Sequence, residues 1–181
     1  MAGSIRGLDN LYRKLGKLGG SAEKALQAGL LQAAKEVQGR AKLLAPVNDG
    51  YLRNSISADV EVKEGIVIGR VFTNLEYAPY VEFGTGPVGD ASDKGDVPAE
   101  IVNQLAYKQD GWWIHESQID ASVAEKYKFY KIETDQGSFY YTEGQPAQPF
   151  LYPAFVNSQK RIGTIIRAAL RKEIEKLEGG S

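Results

Sequence analysis

The chain has 181 residues, 43% hydrophobic and 25% charged, the balance of an ordinary globular protein rather than a disordered one. Its net charge of −1, from 22 basic and 23 acidic residues, argues against a protein that wraps nucleic acid tightly, since such domains carry a clear positive excess. It has no cysteine, which excludes disulfides and thiolate metal sites, and no apolar run of signal-peptide or membrane-spanning character, so secretion and membrane insertion are not expected.

Ile5, Leu8, Leu11, Tyr12, Leu15 and Leu18 recur at helical spacing, which predicts a short amphipathic helix ended by Gly16, Gly19 and Gly20. Ser21 then offers an N-cap, and Ala22 to Ala45 reads as one long Ala-rich helix stopped by Pro46. Its apolar stripe is Leu26, Leu30, Ala33, Val37, Ala41 and Leu44. The Pro46–Gly50 stretch is a turn, with Asn48 or Asp49 placed to cap a helical turn carrying Tyr51 and Leu52.

Ile56, Ala58, Val60 and Val62 alternate with polar residues, which is strand periodicity with one buried face. After a tight turn at Glu64-Gly65, Ile66, Ile68, Val71 and Thr73 continue as the hairpin partner. Pro87 to Asp96 is dense in Gly, Asp, Ser and Pro and reads as a loop; Pro98 to Tyr107 reads as a short helix. Gly111 to His115 suggests a strand in which Trp112 and Trp113 point to opposite faces. Tyr127 to Thr134 and Ser138 to Thr142 flank Asp135-Gln136-Gly137 as an aromatic hairpin, and Asn157 to Leu177 is a closing amphipathic helix.

Few residues offer chemistry. His115 is the only histidine, no Gly-x-Ser-x-Gly elbow supplies a nucleophile, and Ile119 stands where a His-Glu-x-x-His zinc motif needs its second histidine. Gly84-Thr85-Gly86 lacks the Lys-Ser/Thr end of a phosphate loop. Glu76 and Glu82 are the pair one would draw for acid–base work, and a cell-wall hydrolase using Glu82 or Glu116 is the enzymatic alternative. No catalytic residue, metal site or cofactor is expected. The aromatics between Tyr107 and Tyr141 are interleaved with more acids than lysines, six against four, which favours protein contacts over stacking on nucleic acid.

Two segments stand out. Tyr77-Ala-Pro-Tyr-Val-Glu-Phe-Gly-Thr-Gly86 follows a strand and predicts a tight turn into a short helix closed by Gly84 or Gly86. Gly144-Gln-Pro-Ala-Gln-Pro-Phe-Leu-Tyr-Pro-Ala-Phe155 reads as stiff and extended, with Pro153 feeding the last helix. Together they resemble the tail-component family of tailed bacteriophages, the neck or tail-completion proteins related to the minor tail protein Z group. The resemblance rests on Ala45-Pro46 to Gly50, Leu52-Arg53-Asn54-Ser55-Ile56, the Tyr77 to Thr85 block and the Pro146 to Ala154 block, in that order.

The resemblance implies a structural virion protein at the neck or top of the tail, assembled in the host cytoplasm. It implies a cyclic homo-oligomer, a hexamer, that completes the tail and joins it to the head, next to head-closure, tail-terminator or tail-tube proteins. Genomic double-stranded DNA would pass through its channel without specific binding. The tail-terminator role is the close alternative. The motif residues expected to hold the fold or shape subunit contacts are Tyr77, Pro79, Tyr80, Val81, Glu82, Phe83, Gly84, Thr85 and Gly86, and Pro146, Pro149, Phe150, Leu151, Tyr152, Pro153 and Phe155. Packing within the chain and contact between subunits both remain open for them. The expected fold is α+β: a small antiparallel sheet packed by the long N-terminal helix and the C-terminal helix, with an aromatic hairpin elaboration. Residues 1–20 are expected as a helical extension and 21–178 as one domain carrying an elaboration over 87–143.

Overall fold

The computed structural model describes residues 20–178. The helix expected over Ile5–Leu18, with all but the last residue of the 1–20 extension, and the Gly179–Ser181 end lie outside the described residues. The fold is α+β, with antiparallel sheets of two and three strands. Two compact units can be separated: residues 20–75 with 150–178, and residues 76–149. The expected 87–143 elaboration falls within the second unit, which begins earlier and ends later.

In the first unit, α1 (Gly20–Leu44) runs through Ala, Leu, Gln, Lys and Glu, all good helix formers, and stops before Pro46. α7 (Leu151–Glu178) lies antiparallel to it: Gly29 faces Ile166 and Ala169 near one end, and Arg161 Nε reaches Glu36 Oε1 at 3.0 Å towards the other. Ala33, Ile166 and Leu170 form the buried centre, with Leu26, Leu30, Ile162 and Ile165 packed around it. Full burial of Ile166 and Leu170 contributes roughly 1.5–3 kcal/mol each. Leu44, assigned to the apolar stripe from the sequence, is exposed; the buried line at this end runs through Ala41 and Ala45, one turn apart, and Leu44 faces away from it. The helix α7 also starts six residues earlier than Asn157, so Leu151 to Phe155 are helical rather than extended. Pro153 lies within the first turn, where no intrahelical N–H is needed.

α2 (Tyr51–Ser55) follows Gly50, and Asp49 Oδ1 accepts the Tyr51 N–H at 3.0 Å. β1 (Ser57–Lys63) and β2 (Ile66–Phe72) pair antiparallel around Glu64-Gly65. The register places Ala58, Val60 and Val62 on one face with Val67, Gly69 and Val71. Ile66 and Ile68, read with Val71 as one strand, do not share its face; they lie on the opposite, exposed face with Phe72. The physical reason is period two: Val71 is an odd number of residues from both, so one strand cannot bury all three on one side. Thr73 falls just past the strand, its Oγ1 2.6 Å from Ser55 Oγ.

The second unit opens with α3 (Ala78–Phe83) and α4 (Gly86–Ala91). The sequence reading of 87–96 as a loop is corrected for its first half: Pro87 sits in the first turn of α4, where proline is tolerated. The helix expected over Pro98–Tyr107 shrinks to α5 (Ala99–Val102). β3 (Trp112–His115), β4 (Tyr130–Thr134) and β5 (Gly137–Thr142) form a sheet in the order β3-β5-β4. The predicted aromatic hairpin is β4-β5. Between β3 and β4 lie a 3₁₀ turn, Glu116–Gln118, and α6 (Ala121–Lys126), capped by Asp120, whose Oδ1 accepts the Ser122 N–H at 2.8 Å.

Candidate functional site: the junction of the two motif segments

Within the second unit the two motif segments meet. α3 ends at Gly84, whose N–H donates to Tyr80 O and whose φ of 80° suits a residue without a Cβ. The chain then runs extended through Thr85 and bridges Gln145: Thr85 N–H donates to Gln145 O at 2.9 Å, and Gln145 N–H returns to Thr85 O at 3.2 Å. Gln145 Nε2 donates to Tyr80 O at 3.0 Å and Gln148 N–H to Val81 O at 2.8 Å. Val88 N–H reaches Glu143 O at 3.2 Å, and Ala147 N–H reaches Ser92 Oγ at 2.8 Å. The block from Tyr77 to Gly86 is thus held against the Gly144–Pro149 segment through the carbonyls of Tyr80 and Val81 and the backbone of Thr85, bonds that fix shape and expose no reactive group.

Lys94 locks the other end of α4. Its ammonium is buried and donates to the carbonyls of Gly89, Asp90 and Ser92, over the ring of Tyr107 at 5.1 Å. This is a side chain doing the work of a helix C-cap, where a cation also meets the negative end of the dipole. Nothing in the spacing of Lys94 marked it out in the sequence.

A cavity of about 630 Å³ opens beside α3, lined by Pro79, Tyr80, Phe83, Leu105, Tyr107 and Trp112. Tyr107 Oη donates to Phe83 O at 2.9 Å, and Lys108 Nζ lies 5.2 Å from the Trp112 ring. Burial, followed by the charge of Asp90, pushes the Tyr107 phenol above its ordinary value, so it stays neutral. Such a wall suits an apolar or aromatic side chain.

The residues weighed for catalysis do not converge there. Glu82 is buried in α3, whereas Glu76 is exposed. Glu116 is held below the usual carboxylate range by the hydroxyl and N–H of Ser138, then by His115 and Lys131, so it stays ionised near neutral pH. His115 is satisfied on both sides: Ser117 N–H and Oγ lie 3.2 and 2.7 Å from Nδ1, and Gln136 O lies 2.9 Å from Nε2. That pattern assigns the ring proton to Nε2. Among the described residues no group of three His, Asp or Glu is placed to hold a metal, and no helix is long and apolar enough to cross a membrane.

Phe150, Leu151, Tyr152, Pro153 and Phe155 of the second motif belong to the first unit. Phe150 and Ala154 are buried, and Phe155 is exposed at the start of α7.

Comparison with known proteins supports the resemblance at family level. Residues 9–84 match the model of a family described as "Bacteriophage HK97-gp10, putative tail-component". The matched stretch takes in α1, α2, the β1-β2 hairpin and α3, and ends on Gly84; Pro146 to Ala154 lies beyond it. No curated protein and no solved structure matches the chain.

Proposed function

We propose, taking the tail-component match over residues 9–84 as premise, that this chain is a structural protein of a tailed-phage virion, a neck or tail-completion subunit. It forms a cyclic homo-oligomer, a hexamer, at the top of the tail. There it helps join tail to head, contacts a head-closure, tail-terminator or tail-tube protein, and lets double-stranded DNA pass without specific binding. It assembles in the host cytoplasm and ends in the virion. Residues 21–178 act as one domain, with residues 87–143 as its elaboration.

The observation that carries this reading is the family match ending on the Tyr77–Gly84 block. The motif geometry is compatible with it: the two blocks are stitched by backbone hydrogen bonds and serve shape. A net charge of −1 suits a channel through which DNA slides. Native mass spectrometry of the full chain tests the ring directly. The expected species is a six-fold multiple of 19.8 kDa; a chain that stays monomeric at every concentration contradicts it.

A further inference from the structure

Among the described residues two sheet faces are unpartnered and unlike each other. In the three-stranded sheet, register puts Trp113, Tyr141 and Tyr130 in one row across β3, β5 and β4, and His115, Phe139 and Ile132 in the next. The first row is in ring contact, Trp113 5.2 Å from Tyr141 and 6.1 Å from Tyr130. Neither row holds an Asp, Glu, Lys or Arg. On the outer face of the β1-β2 hairpin stand Ile66, Ile68 and Phe72, with Arg70 among them. The exposures of Trp113, Tyr130, Ile66, Ile68 and Phe72 run from 39% to 68%.

We propose that the aromatic face of one copy covers the hairpin face of the next, so that subunits join head to tail. The proposal rests on the ring reading above and says which surfaces make the ring. Charge selects the occupant. An aromatic face without a cation has nothing to neutralise phosphate, which disfavours a nucleic-acid strand. The hairpin face carries no net formal charge: Arg70 binds both Asp59 oxygens at 2.9 Å and Glu61 Oε2 at 2.6 Å, and Lys63, in register with Ile66 on the same face, balances the second carboxylate. Covering it buries no net charge. The guanidinium already lies over the Phe72 ring at 5.9 Å, so a second aromatic wall adds to a stack that exists.

Geometry selects the mode. Two different faces on one chain make a heterologous contact, and a heterologous contact that closes gives a ring. Self-stacking of the aromatic faces would close a dimer and leave Ile66, Ile68 and Phe72 in water. Covering an aromatic side chain buries about 150–250 Å², so these rings supply the centre of an interface of about 800 Å² per partner rather than all of it.

The absence of cysteine makes the test clean. Full-length chains carrying Trp113→Cys are mixed with chains carrying Ile68→Cys and oxidised mildly. The mixture is expected to give a covalent dimer at least several-fold above either variant alone. Separately, Trp113→Ser with Tyr130→Ser should lose the wild-type oligomer while its circular dichroism is unchanged. If the wild type is oligomeric, the double variant keeps that size and no mixed dimer forms, this interface is overturned and the ring reading stands. Dominant Trp113→Cys self-linking also overturns it, in favour of a closed dimer. So does single-stranded DNA binding that the double variant loses with its oligomer intact. A wild type that is monomeric throughout removes both readings.

Discussion

At the residue scale, positions that no motif advertises set the shape of the motif junction. Gly144 has a φ of 98°, and a Cβ there would run into the Thr85 carbonyl that takes part in the bridge to Gln145. Gly144→Ala should therefore strain the backbone and push the two motif segments apart. The expected loss is on the order of 1–3 kcal/mol, the range for a non-glycine residue forced into such a conformation, read as a lower denaturation midpoint with an unchanged slope. Glu116 gives a pH signature. Because its folded value is depressed by Ser138, its stabilisation is present above its ordinary value of 4.5 and lost as pH falls through the folded value. Acid titration of stability should show Glu116→Gln losing part of the decline below that pH; identical curves for both chains would refute the assignment.

At the element scale, the long helices and both hairpins were legible because their periodicities are long and unambiguous. α1 stops where Pro46 requires, and β1-β2 and β4-β5 pair around the turns expected of Glu64-Gly65 and Asp135-Gln136-Gly137. What failed has a common cause. The proline-rich stretches read as a loop after Pro87 and as extended chain up to Phe155, yet Pro87 and Pro153 sit in first helical turns where no N–H is lost. The start of α7 was therefore missed by six residues. The junction of the motifs was invisible for another reason: it is made of backbone bonds between residues sixty apart, which no local pattern reports. The close approach of α1 and α7 was half legible in the Ala-rich stripe, but its tightest point is Gly29, where a Cβ would lie 2.9 Å from that of Ala169. Gly29→Leu should wedge the helices apart and destabilise by roughly 1–3 kcal/mol, the range for overpacking. A thermal scan that shows no loss would mean the helices have slack there.

At the scale of the whole molecule, the family match accounts for residues 9–84, while the three-stranded sheet and α7 lie outside it. The first unit is built like a small α+β core whose hairpin leaves apolar side chains in water, and the second carries an aromatic sheet face with no charge on it. Exposed apolar faces of this kind are a liability in a monomer and an asset in an assembly. In the proposed ring the chain is a part that is finished only in the particle. The most direct check is quantitative mass spectrometry of purified virions of the phage that encodes it. The chain is expected in intact particles at about six copies per tail; a chain abundant in infected cells but absent from purified particles would contradict the virion role.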